Sequence, residues 1–276
     1  MNPELSIAFI GGGNMAAALI SGLAGKFCPI GNIHVIDPVE DTRKAWAGRG
    51  ATVAAAPDEQ LSRCNIWVLA VKPQIMKSVA AAAQPWLRDS LVISIAAGIR
   101  AADLAGWLGA ESAAWPRVVR CMPNTPALIG QGVTGLAALD GVGRQDRELA
   151  DAVLKAVGQT VWVDRESDLD GVTALSGSGP AYVFLFLEAL IEGGQAVGLS
   201  AEQSRALALA TFTGAASMAA ASAEPPALLR ERVTSKGGTT AAALDVMAQA
   251  DFRRIVARAM QAAAHRAQEM GDEFSK

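Results

Sequence analysis

A few short stretches of this chain hold residues whose types and spacing can do chemistry. The first is Gly11-Gly12-Gly13-Asn14-Met15-Ala16, set directly after the apolar run Leu5–Ile10 and directly before a helical stretch. A G-x-G-x-x-A turn between strand and helix is suited to gripping a diphosphate. Gly11 lets the chain turn sharply, Gly13 lets backbone approach the phosphates, and Ala16 lets the helix press on the strand. The helix then opens at Asn14 and Met15 with unsatisfied N–H groups and the positive end of its dipole. Without the strand before it and the helix after it, the same glycine run would be only a tight turn.

Asp37 closes the next apolar run, Asn32–Asp37. A carboxylate about twenty residues past the glycine turn accepts hydrogen bonds from an adenosine ribose and repels a 2′-phosphate. The expected cofactor is therefore NAD(P)H, with NADH favoured over NADPH. Arg43 and Lys44 follow closely. They are either solvated helix charges or the groups that would neutralise such a phosphate. Three further loops follow apolar runs: Ala70-Val71-Lys72-Pro73-Gln74, Ala96-Ala97-Gly98 and Cys121-Met122-Pro123-Asn124-Thr125-Pro126. Open α/β sheets place ligands at such strand ends, so the three together suggest a nicotinamide and substrate cleft.

Two later segments are rich in small polar residues: Ser176-Gly177-Ser178-Gly179-Pro180 and Thr234-Ser235-Lys236-Gly237-Gly238-Thr239-Thr240. Each is expected to open a helix, where successive N–H groups either hold a carboxylate or are simply capped.

These residues need elements to position them. Leu5–Ile10, Asn32–Asp37, Ile66–Val71, Leu91–Ile95 and Val118–Cys121 read as strands apolar on both faces, separated by helices over Asn14–Ala24, Thr42–Arg49, Gln74–Leu87 and Ala101–Leu108. That alternation predicts a doubly wound, largely parallel sheet of the Rossmann type. Strands near Val133–Leu139 and Thr160–Val163 flank a helix at Gln145–Val157. After Asp164 strand signal stops, and Ala/Leu-rich helices are expected over Ser178–Val197, Ala201–Ser222, Pro225–Val233, Thr239–Ala248 and Asp251–Gln268. Ser200 with Gln203 has the spacing of a capping box, and Gly198 that of a helix stop. The predicted domains are residues 1–164, for the dinucleotide, and 165–276, all helical.

Composition narrows the functional classes. The net charge is −3 and only 18% of residues are charged, so nothing draws the chain to nucleic acid or to an acidic membrane. Ala206–Ala223 lacks charge but is too weakly apolar to be expected to span a bilayer. Cys28, Cys64 and Cys121 show neither metal-ligand nor disulfide spacing, which fits a reducing cytoplasm, and no metal site is expected. His34 and His265 lie outside every candidate loop, leaving a histidine-driven dehydrogenase without its base.

Five segments in order resemble the pyrroline-5-carboxylate reductase family: Phe9–Ala16, Val71–Gln74, Arg120–Pro126, Ala174–Tyr182 and Val233–Thr240. The resemblance spans nearly the whole chain, and its last two segments are the specific ones. It implies reduction of 1-pyrroline-5-carboxylate to L-proline. It also implies a helical C-terminal domain that interlocks into a homodimer, with five dimers forming a ring in many members. Carried over by position, it puts the substrate carboxylate on Ser235, Gly238 and Thr239, and the hydroxyl facing the ring nitrogen on Thr240. Val71, Lys72, Pro73, Asn124 and Thr125 take cofactor-contacting positions. Lys236 stands where the family usually has proline, and either attracts the carboxylate or points to solvent. An imine needs no strong acid, since its nitrogen is basic enough to arrive protonated. The protein's expected part is to hold the imine carbon about 3–3.5 Å from the nicotinamide. A 2-hydroxyacid or general imine oxidoreductase, and a non-catalytic dinucleotide-binding regulator, are the competing expectations.

Overall fold

The computed structural model describes residues 5–110 and 113–275. Eight strands form one sheet in the order β3-β2-β1-β4-β5-β6-β7-β8. They are β1 Ile7–Ile10, β2 Ile33–Ile36, β3 Thr52–Ala54, β4 Ile66–Leu69, β5 Leu91–Ser94, β6 Val118–Met122, β7 Gly132–Ala138 and β8 Gly158–Trp162. All neighbours are parallel except β6 and β7.

Alternation along each central strand explains why helices cover both faces. Ile7 and Phe9 of β1 pack with α1 (Asn14–Leu23) and α5 (Arg144–Lys155) through Leu19, Ile20, Leu23, Val153 and Leu154. Ala8 and Ile10 face the opposite way, toward α3 (Pro73–Ala83) and α4 (Ala101–Leu108), with Met76, Ala80, Leu104 and Leu108. Burial on both sides is what makes these strands continuous apolar runs. A further helix, α2 (Glu40–Ala47), follows β2 and buries Trp46.

Compact packing divides the chain into two units, one holding residues up to Ser178 together with Ala262 onward, the other Gly179–Gln261. Strand signal ends near 164, as read from the sequence, but the packing boundary falls later. Between the two points lie a short helix, α6 (Asp168–Val172), and a π-helical turn, Thr173–Gly177, anchored by the buried Leu169 and Ala174. The helix expected over Ser178–Val197 is found over Gly179–Ala196, and what the expectation lacks is the helical stretch from Asp168 that leads into it. The Asp168-Leu-Asp-Gly-Val stretch has too little apolar periodicity to announce itself.

The second unit holds α7 (Gly179–Ala196), α8 (Ala201–Ala221), α9 (Pro226–Arg232), α10 (Thr239–Gln249) and the start of α11 (Phe252–Phe274). Gly198 has φ +97°, and the capping box forms as its spacing predicts: Gln203 N–H donates to Ser200 Oγ and Ser200 N–H to Gln203 Oε1, at 3.2 and 2.9 Å. Phe186 packs edge-on against Phe212, with ring centroids 6.1 Å apart. The far end of α11 belongs to the first unit, where Phe274 and Met270 lie against Gly98 and Asp272 pairs with Arg100.

Candidate active site

The glycine turn is fixed from below by its neighbours. Gly11 adopts φ +101°, its N–H donates to Ile36 O at 2.8 Å, and a Cβ there would stand 2.6 Å from Ala70 O. Val71 lies against the same point, so the loops after β1 and β4 are brought together. Gly12 is constrained by a side chain instead, since a Cβ would meet Thr42 Cγ2 at 2.6 Å. Gly13 differs. Nothing lies within 4 Å of where its Cβ would be, and Gly13 and Asn14 are exposed. No side chain caps the first turn of α1. The turn therefore presents uncapped helix N–H groups beside open space that only a side chain would fill, which is the shape a diphosphate requires. Ala16 is buried against the sheet.

Asp37 joins this group. Its Oδ2 accepts the Gly12 N–H at 2.8 Å and its Oδ1 the Val39 N–H at 2.8 Å. Arg43 donates to the Asp37 carbonyl at 2.7 Å, whereas Lys44 is paired with Glu40 at 2.8 Å. Lys72 is the exposed N-cap of α3 with Pro73 at its first position, so both stand at the sheet's carboxyl edge.

The loop after β6 reaches the same face by another route. Thr125 is exposed and begins a short 3₁₀ turn, Thr125–Ile129, that packs on α1. Asn124 is turned inward, only 9% exposed, with its carboxamide bonded to Val133 N–H and to Ser176 O.

The second unit carries its own loop between α9 and α10. Gly237 takes φ +71°, and Gly238 is the N-cap of α10 in extended conformation, again with no side-chain cap. A Cβ on Gly238 would collide with Ser235 Oγ, so glycine is what lets that hydroxyl lie across the helix start. Thr239 and Thr240 open the helix, Thr240 half-buried. Lys236 is exposed. By contrast, the helix that opens within Ser176–Pro180 has wound turns directly before it. The Thr173 and Ser176 hydroxyls donate to Leu169 O and Val172 O, leaving no anion cradle there. Among the described residues no cluster of three metal-ligating side chains occurs.

Comparison with known proteins settles the lineage. The family profile described as pyrroline-5-carboxylate reductase dimerisation matches residues 166–270, and one described as NADP oxidoreductase coenzyme F420-dependent matches 6–98. A pyrroline-5-carboxylate reductase of Pseudomonas aeruginosa is 45% identical over 273 residues, covering 98% of each chain. This chain belongs to the pyrroline-5-carboxylate reductase family. The family's solved structures superpose throughout. That from Coxiella burnetii has a TM-score of 0.90 at 36% identity, covering 97% of this chain and 98% of its own. That from Plasmodium falciparum, solved with NADP bound, has a TM-score of 0.85 at 32% identity, covering 98% of this chain and all of its own.

Gly12 packs against Thr42 and bonds to Asp37, contacts that residue spacing alone passed over. The clue was available in Asp37, whose carboxylate has to sit somewhere near the middle glycine. Among the buried titratable groups outside the site, desolvation pushes the Cys64 thiol up to about 12 and raises Cys28 and Cys121 as well. The three thiols are inert packing groups.

Proposed function

We propose that this enzyme reduces 1-pyrroline-5-carboxylate to L-proline with NAD(P)H, the last step of proline synthesis. The observation that carries this reading is the 45% identity, over nearly the full length, to a pyrroline-5-carboxylate reductase. The open space at Gly13 fits a dinucleotide diphosphate, and we assign Gly11, Gly13, Asn14 and Met15 to hold it. Val71, Lys72, Pro73, Asn124 and Thr125 form the walls toward the nicotinamide, Asn124 through its loop. When bound, the cofactor supplies a hydride to the imine carbon.

The protein's own share is placement. Ser235, Gly238 and Thr239 bind the substrate carboxylate through the uncapped start of α10. Thr240 is the catalytic residue, its hydroxyl hydrogen-bonded to the ring nitrogen, which carries a proton as the C=N bond becomes CH–NH. Holding both reactants at contact distance turns a bimolecular encounter into an intramolecular one. Exposed Lys236 is left to solvent.

For the cofactor we favour NADH. Both Asp37 oxygens are tied to backbone, which fixes a negative charge at the end of β2 where a 2′-phosphate would stand, and Lys44 is already paired with Glu40. Residues 1–164 serve as the dinucleotide domain and 165–276 as the substrate and dimerisation domain, in a homodimer that assembles further into five dimers. We place the enzyme in the cytoplasm, where its three free thiols stay reduced.

The test is consumption of NADH, then NADPH, on addition of 1-pyrroline-5-carboxylate. Oxidation of the cofactor with proline as product is expected. Turnover of 2-hydroxy acids instead, or binding of NADH with no turnover, would overturn the activity. An NADPH advantage of about tenfold in kcat/KM, some 1.4 kcal/mol, would overturn the cofactor preference alone.

A further inference from the structure

We propose that Asn124 is a positioning residue for this reaction. Its carboxamide pins the loop after β6 to β7 on one side and to the π-helical turn on the other, and so sets where Pro123 and Thr125 stand. The inference rests on the function proposed above.

The pairing of β6 with β7 shows why a side chain is needed. Their antiparallel register runs from Val119↔Ala138 to Met122↔Gly135, and there β6 ends. Val133 lies farther along β7, with no β6 residue opposite it. Its N–H bonds instead to Asn124 Oδ1 at 2.9 Å. The side chain thus extends the ladder beyond the strand.

The other end of the carboxamide meets a second vacancy of the backbone. Asn124 Nδ2 donates to Ser176 O at 3.1 Å. That carbonyl belongs to the π-wound turn, marked by Ser178 N–H bonding to Thr173 O at 2.8 Å. In an α-helix its donor would come from residue 180, which is proline and has no N–H. One planar group with a donor and an acceptor therefore satisfies two backbone atoms that secondary structure leaves open. Pro123 and Pro126 stiffen the chain on either side, and Ala127 N–H closes the turn onto Asn124 O at 3.1 Å. Side chains exposed from this loop, Thr125 among them, inherit the precision of the clamp.

Asn124→Asp gives a diagnostic variant. It keeps the shape and the acceptor, but when ionised it sets a carboxylate against the Ser176 carbonyl. Once protonated it regains an O–H donor. At about pH 8 the variant's kcat/KM for 1-pyrroline-5-carboxylate should fall about tenfold to hundredfold. Relative to wild type it should recover several-fold toward about pH 5.5 as the carboxyl protonates, a recovery that Asn124→Ala should lack. Wild-type efficiency at every pH, or a pH-independent loss confined to NADH affinity, overturns the proposal.

Should the aspartate variant fail to fold, hydrogen exchange on the wild-type enzyme decides. The Val133 amide should exchange as slowly as its β7 neighbours, and free exchange there removes the clamp. A wild-type protein that does not turn over 1-pyrroline-5-carboxylate defeats the proposed function instead, a result separable from a missing pH response in an active enzyme.

Discussion

At the scale of single residues, three adjacent glycines do three different jobs, and the geometry separates them. Gly11 is held by its φ of +101° and by Ala70 O, Gly12 by Thr42, and Gly13 by nothing in the protein. Gly11→Ala should therefore lower stability by about 1–3 kcal/mol, the usual cost of a strained backbone, measurable by chemical denaturation. Gly13→Val should leave the denaturation midpoint near wild type and abolish NADH binding, because its side chain enters the open space proposed above for the diphosphate. A Gly13→Val protein that binds NADH normally contradicts the diphosphate assignment. On the substrate side, the role proposed for Thr240 means that Thr240→Ala should remove one hydrogen bond to a group that is charged in the reaction, worth about 1.5–3 kcal/mol. The corresponding fall in kcat/KM is about tenfold to hundredfold, at unchanged cofactor affinity. Wild-type kinetics in that variant would exclude Thr240 from the mechanism.

Elements decide where those residues stand, and here the sequence was legible unevenly. Both faces of β1, β2, β4 and β5 are buried, so their apolar runs marked them plainly, and α4 falls on Ala101–Leu108 as its pattern predicts. The edge strand β3 escaped notice. Thr52-Val-Ala is short and half-exposed, and it exists because β2 offers it a ladder through His34↔Thr52 and its neighbours. The reversal of β7 against β6 has no local signature, since pairing direction is set by the chain's path. The π-turn was hidden for a related reason. Its Ser176 carbonyl is met by a distant carboxamide on Asn124, which no window of sequence around Ser176 contains. The glycine turn and the Ser235–Thr240 loop were legible because their chemistry is local, a glycine conformation followed by a helix start.

The β2–β3 edge also makes a prediction of its own. His34 is 3% exposed, with Nδ1 2.9 Å from Thr52 Oγ1 and Nε2 3.2 Å from Asp58 Oδ1. Burial lowers its pKa, and Asp58 opposes that shift without reversing it. A depressed imidazole pKa means the fold favours the neutral ring. Its contribution is then present above the unfolded value of about 6.5 and is lost as pH falls below it. Thermal melts should show the midpoint dropping between about pH 7.5 and pH 5.5, and the drop should shrink in His34→Gln. An equal drop in that variant would assign the acid sensitivity elsewhere.

At the scale of the whole molecule, the helical unit leaves much apolar surface uncovered by its own chain. Phe184, Leu185, Leu207, Met218 and Val246 are all more than half exposed. The helix Asp168–Ala196 is long and apolar enough to cross a membrane by length and composition. The dimerisation profile over residues 166–270 covers this same segment, and we propose that a second copy covers its apolar face. Leu185→Glu should weaken self-association in analytical ultracentrifugation while the sheet-containing unit stays folded by circular dichroism. Undiminished association would move the interface to another face. The mechanism proposed above depends on the same scale, because the loops it assigns to the diphosphate and to the carboxylate belong to different units of the chain.

That dependence is most directly tested by comparing 1-pyrroline-5-carboxylate with 1-pyrroline, the same ring without its carboxylate, under one NADH concentration. Charge-assisted binding at the start of α10 predicts a kcat/KM lower for the bare ring by at least about tenfold to hundredfold. That deficit should be largely erased when Gly238 is replaced by a residue that pushes Ser235 aside. Equal efficiency on the two rings would contradict the carboxylate cradle and the mechanism built on it.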